Sequence, residues 1–188
     1  MSNLYLFDCF GVVVSDVSRL WMSKHFTREQ QNFICAEVLR KVDCGQISFD
    51  SSFDILAEMA GMPKDRVLRE WDGCVFLTNG IKQVLADLRQ KGNTVALLSN
   101  AAKEYVDFLF TRFGLFDYFD KLFVSSCYGC AKPDKAFYRA CVNSFSQKFD
   151  AIYFTDDNPE FLVGLEEFGI TPVLFSGVEN LKKRYGLN

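Results

Sequence analysis

The chain begins with a short unbroken apolar run, Leu4–Phe7, which ends at the acidic Asp8 and leads through Cys9, Phe10 and Gly11 into three valines, Val12–Val14. Continuous rather than alternating apolar residues predict a strand buried on both faces, and the glycine just beyond it predicts a tight turn. From Ser15 to about Thr78 the apolar spacing becomes helical, with amphipathic segments over 17–25, 28–42, 49–60 and 64–73. Ser48 and Pro63 stand where helices start, Gly45 and Gly61 where they stop. Beyond Thr78 strands and helices alternate. A helix over 81–91 ends at Gly92, and a strand follows at 94–99 (TVALLS). A helix over 101–113 ends at Gly114, followed by a strand at 121–126 (KLFVSS) and a helix from 133 to about 147. The remainder reads as strand 151–155, helix 159–168, strand 171–175 and helix 178–185.

Five strands separated by helices predict an α/β fold, a three-layer Rossmann-like core with a five-stranded parallel sheet. The helical block after the first strand has no strand of its own, so it is expected to form a small helical-bundle cap. The predicted division is a core of residues 1–14 and 79–188 with a cap of 15–78. Chemistry in open α/β sheets lies beyond the carboxyl ends of the strands. The polar residues there are Asp8, Ser99, Asn100, Lys132, Asp156 and Asp157.

Composition narrows the classes of partner. A net charge of −3 offers no electrostatic attraction to nucleic acid or to an anionic membrane. No apolar run approaches the roughly 20 residues that span a bilayer, and the first residues lack a secretory pattern. Seven cysteines, an odd number scattered along the chain, predict reduced thiols in a cytoplasmic protein. Cys127 and Cys130 form the one close pair, and the single histidine, His25, is far upstream, so a zinc site lacks its remaining ligands. The same shortage argues against Ser-His-Asp or Cys-His catalysis. The chain is expected to be a monomer or homodimer.

The six strand-end residues carry three carboxylates against one amine. Like charges packed together oppose each other's ionisation, and they would repel an anionic substrate. A hard divalent cation resolves both conflicts, and oxygen-only ligands point to Mg²⁺. With Mg²⁺ and Lys132 in place the site can receive a phosphate dianion, which Asp8 can attack in line to form an aspartyl phosphate.

These residues fall within four motifs, LFDCFGVV (6–13), ALLSN (96–100), AKPDKAFY (131–138) and IYFTDDNPEF (152–161), and together they resemble the haloacid dehalogenase-like superfamily. The segment 44–61, CGQISFDSSFDILAEMAG, is similar to the small helical cap of one of its subgroups. The resemblance implies a phosphatase acting on a small phosphorylated metabolite, a sugar phosphate being one candidate. It further implies that Asp8 is nucleophile and metal ligand, and that the backbone carbonyl of Phe10 is a second ligand. Asp157 would bind Mg²⁺ directly with Asp156 in the outer shell. Ser99 and Asn100 would hold the phosphoryl oxygens, Lys132 would balance nucleophile and phosphate, and Gly11 would let the chain turn away from the strand.

The pattern also departs from the family. Phe10 stands where the phosphatases carry a second aspartate, which protonates the leaving oxygen and later activates water. Loss of such an acid costs roughly 10²–10⁴ in rate. Metal-independent 2-haloacid dehalogenases also lack that acid, but they lack the paired acids corresponding to Asp156 and Asp157, so they form the alternative reading. A catalytically weak or inactive relative that binds a phosphorylated ligand or a protein is another. A phosphonatase-like reaction would require a cap lysine, for which Lys24 or Lys41 is available. Phe161 replaces an expected Asn or Asp, and Asn158 is positioned to take over its orienting role. Trp21, Lys24 and His25 are candidates to face substrate, against the simpler reading of Trp21 and Phe26 as cap packing. Cys9 is expected to point away from the site. Ser99–Asn100 and Asp156–Asp157 are also candidate caps for the helices that follow them.

Overall fold

The computed structural model describes residues 2–187. Five strands, β1 (Leu4–Phe7), β2 (Thr94–Ser99), β3 (Lys121–Val124), β4 (Ile152–Asp156) and β5 (Ile170–Leu174), run parallel in the order β3-β2-β1-β4-β5. The predicted α/β fold with a five-stranded parallel sheet is the one observed. All four residues of β1 are buried. Tyr5 and Phe7 join one core cluster with Val95 and Leu97, while Leu4 and Leu6 join another with Ala96, Leu98, Phe123 and Phe154. This two-residue alternation between apolar faces is why the strand carries no polar position.

The register decides which residues meet at the carboxyl edge. Phe7 pairs with Leu97 on one side and Thr155 on the other, which sets Asp156 level with Asp8 and Ser99 one step beyond. The connection after β1 leads to β2 on one side and the connection after β4 leads to β5 on the other, so Asp8 and Asp156 flank the switch point of the sheet.

The helices between β1 and β2 are α1 (Val17–His25), α2 (Arg28–Ile34), α3 (Arg40–Asp43), α4 (Phe49–Ala60), α5 (Lys64–Asp72) and α6 (Ile81–Gln90). Local chemistry sets their ends. Asp16 caps α1 through the amide of Arg19, Thr27 and Gln30 form a reciprocal capping box on α2, and Ser48 caps α4, which stops at the left-handed Gly61. The two connections to this helical segment lie side by side. The Thr78 amide donates to the Val13 carbonyl, the Ser15 amide to the Phe76 carbonyl, and the Ser15 hydroxyl to the Cys74 carbonyl at 2.7 Å.

Four predicted elements differ in detail. The helix expected over 28–42 is interrupted by a π-helical turn at Cys35–Leu39, a deformation often associated with functional sites. The helix expected at 101 starts at Lys103, as α7 (Lys103–Phe113). Ser125 Oγ takes the Ala101 amide and Ser126 Oγ the Lys103 amide, so neither Ser99 nor Asn100 acts as its cap. The helix expected from 133 is α8 (Lys135–Asn143), capped by Asp134. The segment 159–168 forms two 3₁₀ turns, Pro159–Leu162 and Leu165–Phe168, separated by Gly164 at φ +73°, where a continuous helix cannot pass. Its cap is the Asn158 side chain, not Asp156 or Asp157. The chain closes with α9 (Val178–Tyr185). Among the described residues no helix is long and apolar enough to cross a membrane.

Leu6→Ala, at a fully buried position in the central strand, is expected to destabilise the fold by about 3 kcal/mol, read as a lower urea midpoint with unchanged slope.

Candidate active site

Asp8 follows β1 directly, and its amide donates to the Thr155 carbonyl at 2.9 Å, which continues the β1–β4 ladder and fixes the carboxylate at the sheet edge. Lys132 reaches it from the loop after β3. Its ammonium donates to Asp8 Oδ1 at 2.8 Å and to Asp156 Oδ2 at 2.6 Å, with the side chain wholly enclosed. The rings of Phe154 and Phe161 each lie 5.1 Å from the ammonium. Burial opposes the charge on Lys132, but the two carboxylates outweigh it and hold its pKa above the ordinary lysine value. The main chain of Lys132 is equally constrained. Asn100 Nδ2 donates to its carbonyl at 2.9 Å and its amide donates to Asn100 Oδ1 at 2.7 Å, while Arg40 Nη1 donates to the carbonyls of Ala131 (3.0 Å) and Lys132 (2.9 Å).

Asp8, Asp156 and Asp157 each offer an oxygen within 4.8 Å of the others, and they form the cluster among the described residues suited to a metal ion. Burial first, then the neighbouring carboxylates, push Asp8 up to about 8, against the lowering effect of Lys132. Burial, Asp156 and Asp16 push Asp157 up to about 6. Both values express the conflict of three carboxylates facing one ammonium. Asp156 is occupied on both oxygens, by Lys132 and by the Asn158 amide at 2.8 Å. The free donors are therefore Asp8 Oδ2, Asp157 and the Phe10 carbonyl, since the turn Cys9–Val14 uses the carbonyls of Cys9 and Val14 instead. An all-oxygen set with excess negative charge suits a hard divalent cation. Gly11 makes room for the Asp157 carboxylate. At φ +84°, a Cβ there would stand 2.3 Å from an Asp157 carboxylate oxygen.

A cavity of about 640 Å³ opens over these groups, with Asp8, Phe10, Asn100, Lys132 and Asp157 in its wall. Asp156 and Ser99 are fully buried and lie outside the wall, and the Ser99 hydroxyl has no hydrogen-bond partner. The Asn100 side-chain amide is engaged with the main chain of Lys132, so it orients the lysine loop. Asn158 orients Asp156 through its main chain, while its side chain caps the following turn. One side of the cavity is aromatic. The Phe10 ring is parallel to Tyr105 at 5.8 Å, Phe49 stacks on Tyr105 at 4.1 Å, and Trp71 Nε1 donates to the Tyr105 hydroxyl.

The residues proposed to face substrate from α1 do not do so. Trp21 is buried against Phe26 and Trp71, Lys24 Nζ sits 3.3 Å from Cys74 Sγ, and His25 lies 2.6 Å from Glu70. Lys41 pairs with Glu37 on the surface, so neither lysine is placed for imine chemistry. Cys9 is buried, and Cys127 and Cys130 lie outside the cavity wall. Arg40 and Asp43 were missed by the sequence reading. Asp43 lines the cavity, and burial raises its pKa to about 7 against the lowering effects of Arg40 and Lys132. The available signal was an acid adjoining the apolar positions Leu39 and Val42, directly before Cys44–Gly45.

A family model for haloacid dehalogenase-like hydrolases matches residues 3–169. The chain is 24% identical over 155 residues to drimenol cyclase drtB of Aspergillus calidoustus, covering 79% of this chain but only 29% of that protein. It is 24% identical over 140 residues to the sesquiterpene phosphatase astK of Aspergillus oryzae, covering 73% of this chain and 71% of that one. A HAD family enzyme of Bacteroides thetaiotaomicron, solved with magnesium and inorganic phosphate, superposes with a TM-score of 0.78 at 20% identity, covering 98% of this chain and 100% of that one. The L-2-haloacid dehalogenase of Xanthobacter autotrophicus superposes with a TM-score of 0.65 at 18% identity, covering 94% and 78%.

Because Asp8 and Asp157 must be ionised to bind a cation, divalent-cation affinity is expected to rise steadily from pH 6 to pH 8, with proton release detectable by calorimetry in buffers of different ionisation enthalpy. In the cation-free protein these raised carboxyl values favour the folded state at low pH. That contribution is lost as pH rises through about 6 and then about 8, so the thermal stabilisation by cation should be larger at pH 8 than at pH 6. Gly11→Ala, which displaces Asp157, is expected to weaken cation affinity by about ten-fold or more, or roughly 1.4 kcal/mol, measured by the same titration.

Proposed function

The chain belongs to the haloacid dehalogenase-like hydrolases, and within that family we propose that it is a Mg²⁺-dependent phosphohydrolase acting on a small phosphorylated metabolite through an aspartyl phosphate at Asp8. The observation that carries this reading is the buried Asp8–Lys132–Asp156 arrangement with Asp157 beside it. Three acids around one lysine suit a phosphate with a cation. They would repel the carboxylate of a haloacid, which disfavours the dehalogenase alternative.

Asp8, Asp157 and the Phe10 carbonyl would hold Mg²⁺, with Asp156 behind them, and the ion would neutralise phosphate charge when bound. Lys132 keeps Asp8 oriented and, still protonated, supplies the positive charge that the incoming phosphoryl oxygens meet. Asp8 attacks phosphorus as the bond to the leaving oxygen breaks. The Ser99 hydroxyl, buried without a partner and outside the cavity wall, would have to be uncovered by the bound phosphate to donate to one of its oxygens, a contact that would recover the roughly 1–3 kcal/mol cost of an unsatisfied buried hydroxyl. Water then attacks the aspartyl phosphate, releasing phosphate and restoring Asp8. Phe10 can neither donate nor accept a proton in either step.

In this reading residues 15–78 act as the cap that contacts the organic part of the substrate. The wall of Phe10, Phe49, Trp71 and Tyr105 favours an apolar organic body over a sugar. The name of the relative called a sesquiterpene phosphatase is consistent with that preference. Seven cysteines without a disulfide support a cytoplasmic setting.

With a phosphate-ester panel, activity is expected to require Mg²⁺ and to be abolished by EDTA, with apolar esters ahead of sugar phosphates. Uniform inactivity or indifference to EDTA would overturn the proposal. Asp8→Asn should lower kcat by about 10³-fold or more, equivalent to roughly 4 kcal/mol, while a phosphate-mimicking anion still binds.

A further inference from the structure

Given the phosphohydrolase reading on which this inference rests, the acids at the ends of β1 and β4 offer no proton for the leaving oxygen. Phe10 occupies the position of the missing acid, Asp156 is held on both oxygens, and Asp8 and Asp157 are the nucleophile and a cation donor. Of the other carboxyls in the cavity wall, Glu160 is exposed and Asp16 caps α1, and a further one comes from the helical segment. Asp43, the last residue of α3, lines the same cavity as Asp8, Phe10 and Lys132. Among the described residues its carboxylate takes part in no ion pair or side-chain hydrogen bond. The nearby cations are engaged elsewhere, Arg40 with the carbonyls of Ala131 and Lys132, Lys41 with Glu37, and Lys132 with Asp8 and Asp156.

The position of Asp43 is fixed from both sides. Three residues before it, Arg40 ties α3 to the main chain of the loop that carries Lys132. Two residues after it, Gly45 passes so close to the core that a Cβ would stand 2.7 Å from the Ser126 carbonyl, with φ at +68°. A carboxyl held between two such anchors is located with respect to Lys132, and therefore to Asp8, rather than carried on a free surface. The charged and titratable groups around it are Arg40 on its own helix, Cys35 on the π-helical turn, and Lys132 on the core loop. With burial opposing the two cations, Asp43 is held near neutrality, where one carboxyl can serve as both acid and base.

We propose that Asp43 is the general acid and base of this enzyme, replacing the acid lost at Phe10. In the first step Asp8 forms its bond to phosphorus, the bond from phosphorus to the leaving oxygen breaks, and Asp43 delivers its proton to that oxygen. In the second, water bonds to phosphorus, the Asp8–phosphorus bond breaks, and Asp43 takes the water proton. Phosphate is released and Asp43 is protonated again.

Leaving-group dependence tests this in the Mg²⁺-loaded enzyme, using kcat/KM because it reports the phosphorylation step. Asp43→Asn is expected to lose about 100-fold with an alkyl phosphate, whose leaving oxygen needs a proton, and no more than a few-fold with 4-nitrophenyl phosphate, whose leaving group does not. The wild-type profile for the alkyl ester should fall as pH rises above about 7, and Asp43→Asn should abolish that limb. Adding Phe10→Asp to Asp43→Asn should restore at least ten-fold of the alkyl activity. Equal losses on both esters, or no loss, would assign Asp43 a structural role or none and overturn the proposal. Absence of the alkaline limb in the wild type would overturn it even if the variants fail to fold. A wild type inactive on both esters with Mg²⁺ would instead overturn the phosphohydrolase reading, and the role of Asp43 with it.

Discussion

The ammonium of Lys132, enclosed between Asp8 and Asp156, is the interaction on which the arrangement of the sheet edge depends. Three carboxylates meet where β1 and β4 end, and burial makes each costly to ionise. One fully enclosed lysine offsets part of that cost, and removing one partner of a buried pair typically destabilises by about 3–5 kcal/mol. The fold accordingly gives this lysine unusual support. Asn100 from the end of β2 and Arg40 from α3 hold its main chain, and two aromatic rings flank its charge. The remaining excess of negative charge is a reason for the site to accept a cation.

The helical segment and the sheet are coupled through the same lysine loop. Arg40 joins α3 to residues 131 and 132, Gly45 packs against Ser126, and the two connecting segments pair side by side through Ser15 and Thr78. A shift of the helical segment would therefore be felt by the ion pair at the cavity floor. The π-helical turn just before Arg40 also changes the helical phase, so that Arg40 and Asp43 do not occupy the faces that a continuous helix over 28–42 would give them.

Phe10 has two consequences for chemistry. It places no titratable group two residues after Asp8, and it extends the aromatic surface formed by Tyr105, Phe49 and Trp71. Both follow from an aromatic ring standing two residues after Asp8. The helical segment contributes both aromatic residues, Phe49 and Trp71, and polar ones, Arg28, Gln31 and Asp43, to the cavity wall.

How much could be read before folding depended on the range of the interactions involved. The strand-and-helix order, the parallel sheet and the placing of Asp8, Asn100, Lys132 and Asp157 around one cavity were legible, because unbroken apolar runs define buried strands and parallel strands gather their carboxyl ends at one edge. The helix boundaries at 101 and 159 were not, because Ser125 and Ser126 act across 23 or more residues and Gly164 breaks a pattern that looks periodic. Trp21, Lys24 and His25 were assigned to the cavity by proximity in sequence, whereas packing of α1 against α5 turned them into the interior or onto Glu70 and Cys74. What the sequence determined by itself was the set of strand ends and the charge conflict among them. Only the tertiary structure decided which oxygens that conflict leaves free, that the Asn100 side-chain amide belongs to Lys132, and that Asp43 lines the same cavity as Asp8. Those outcomes rest on hydrogen bonds between segments as far as 124 residues apart, which no local pattern encodes.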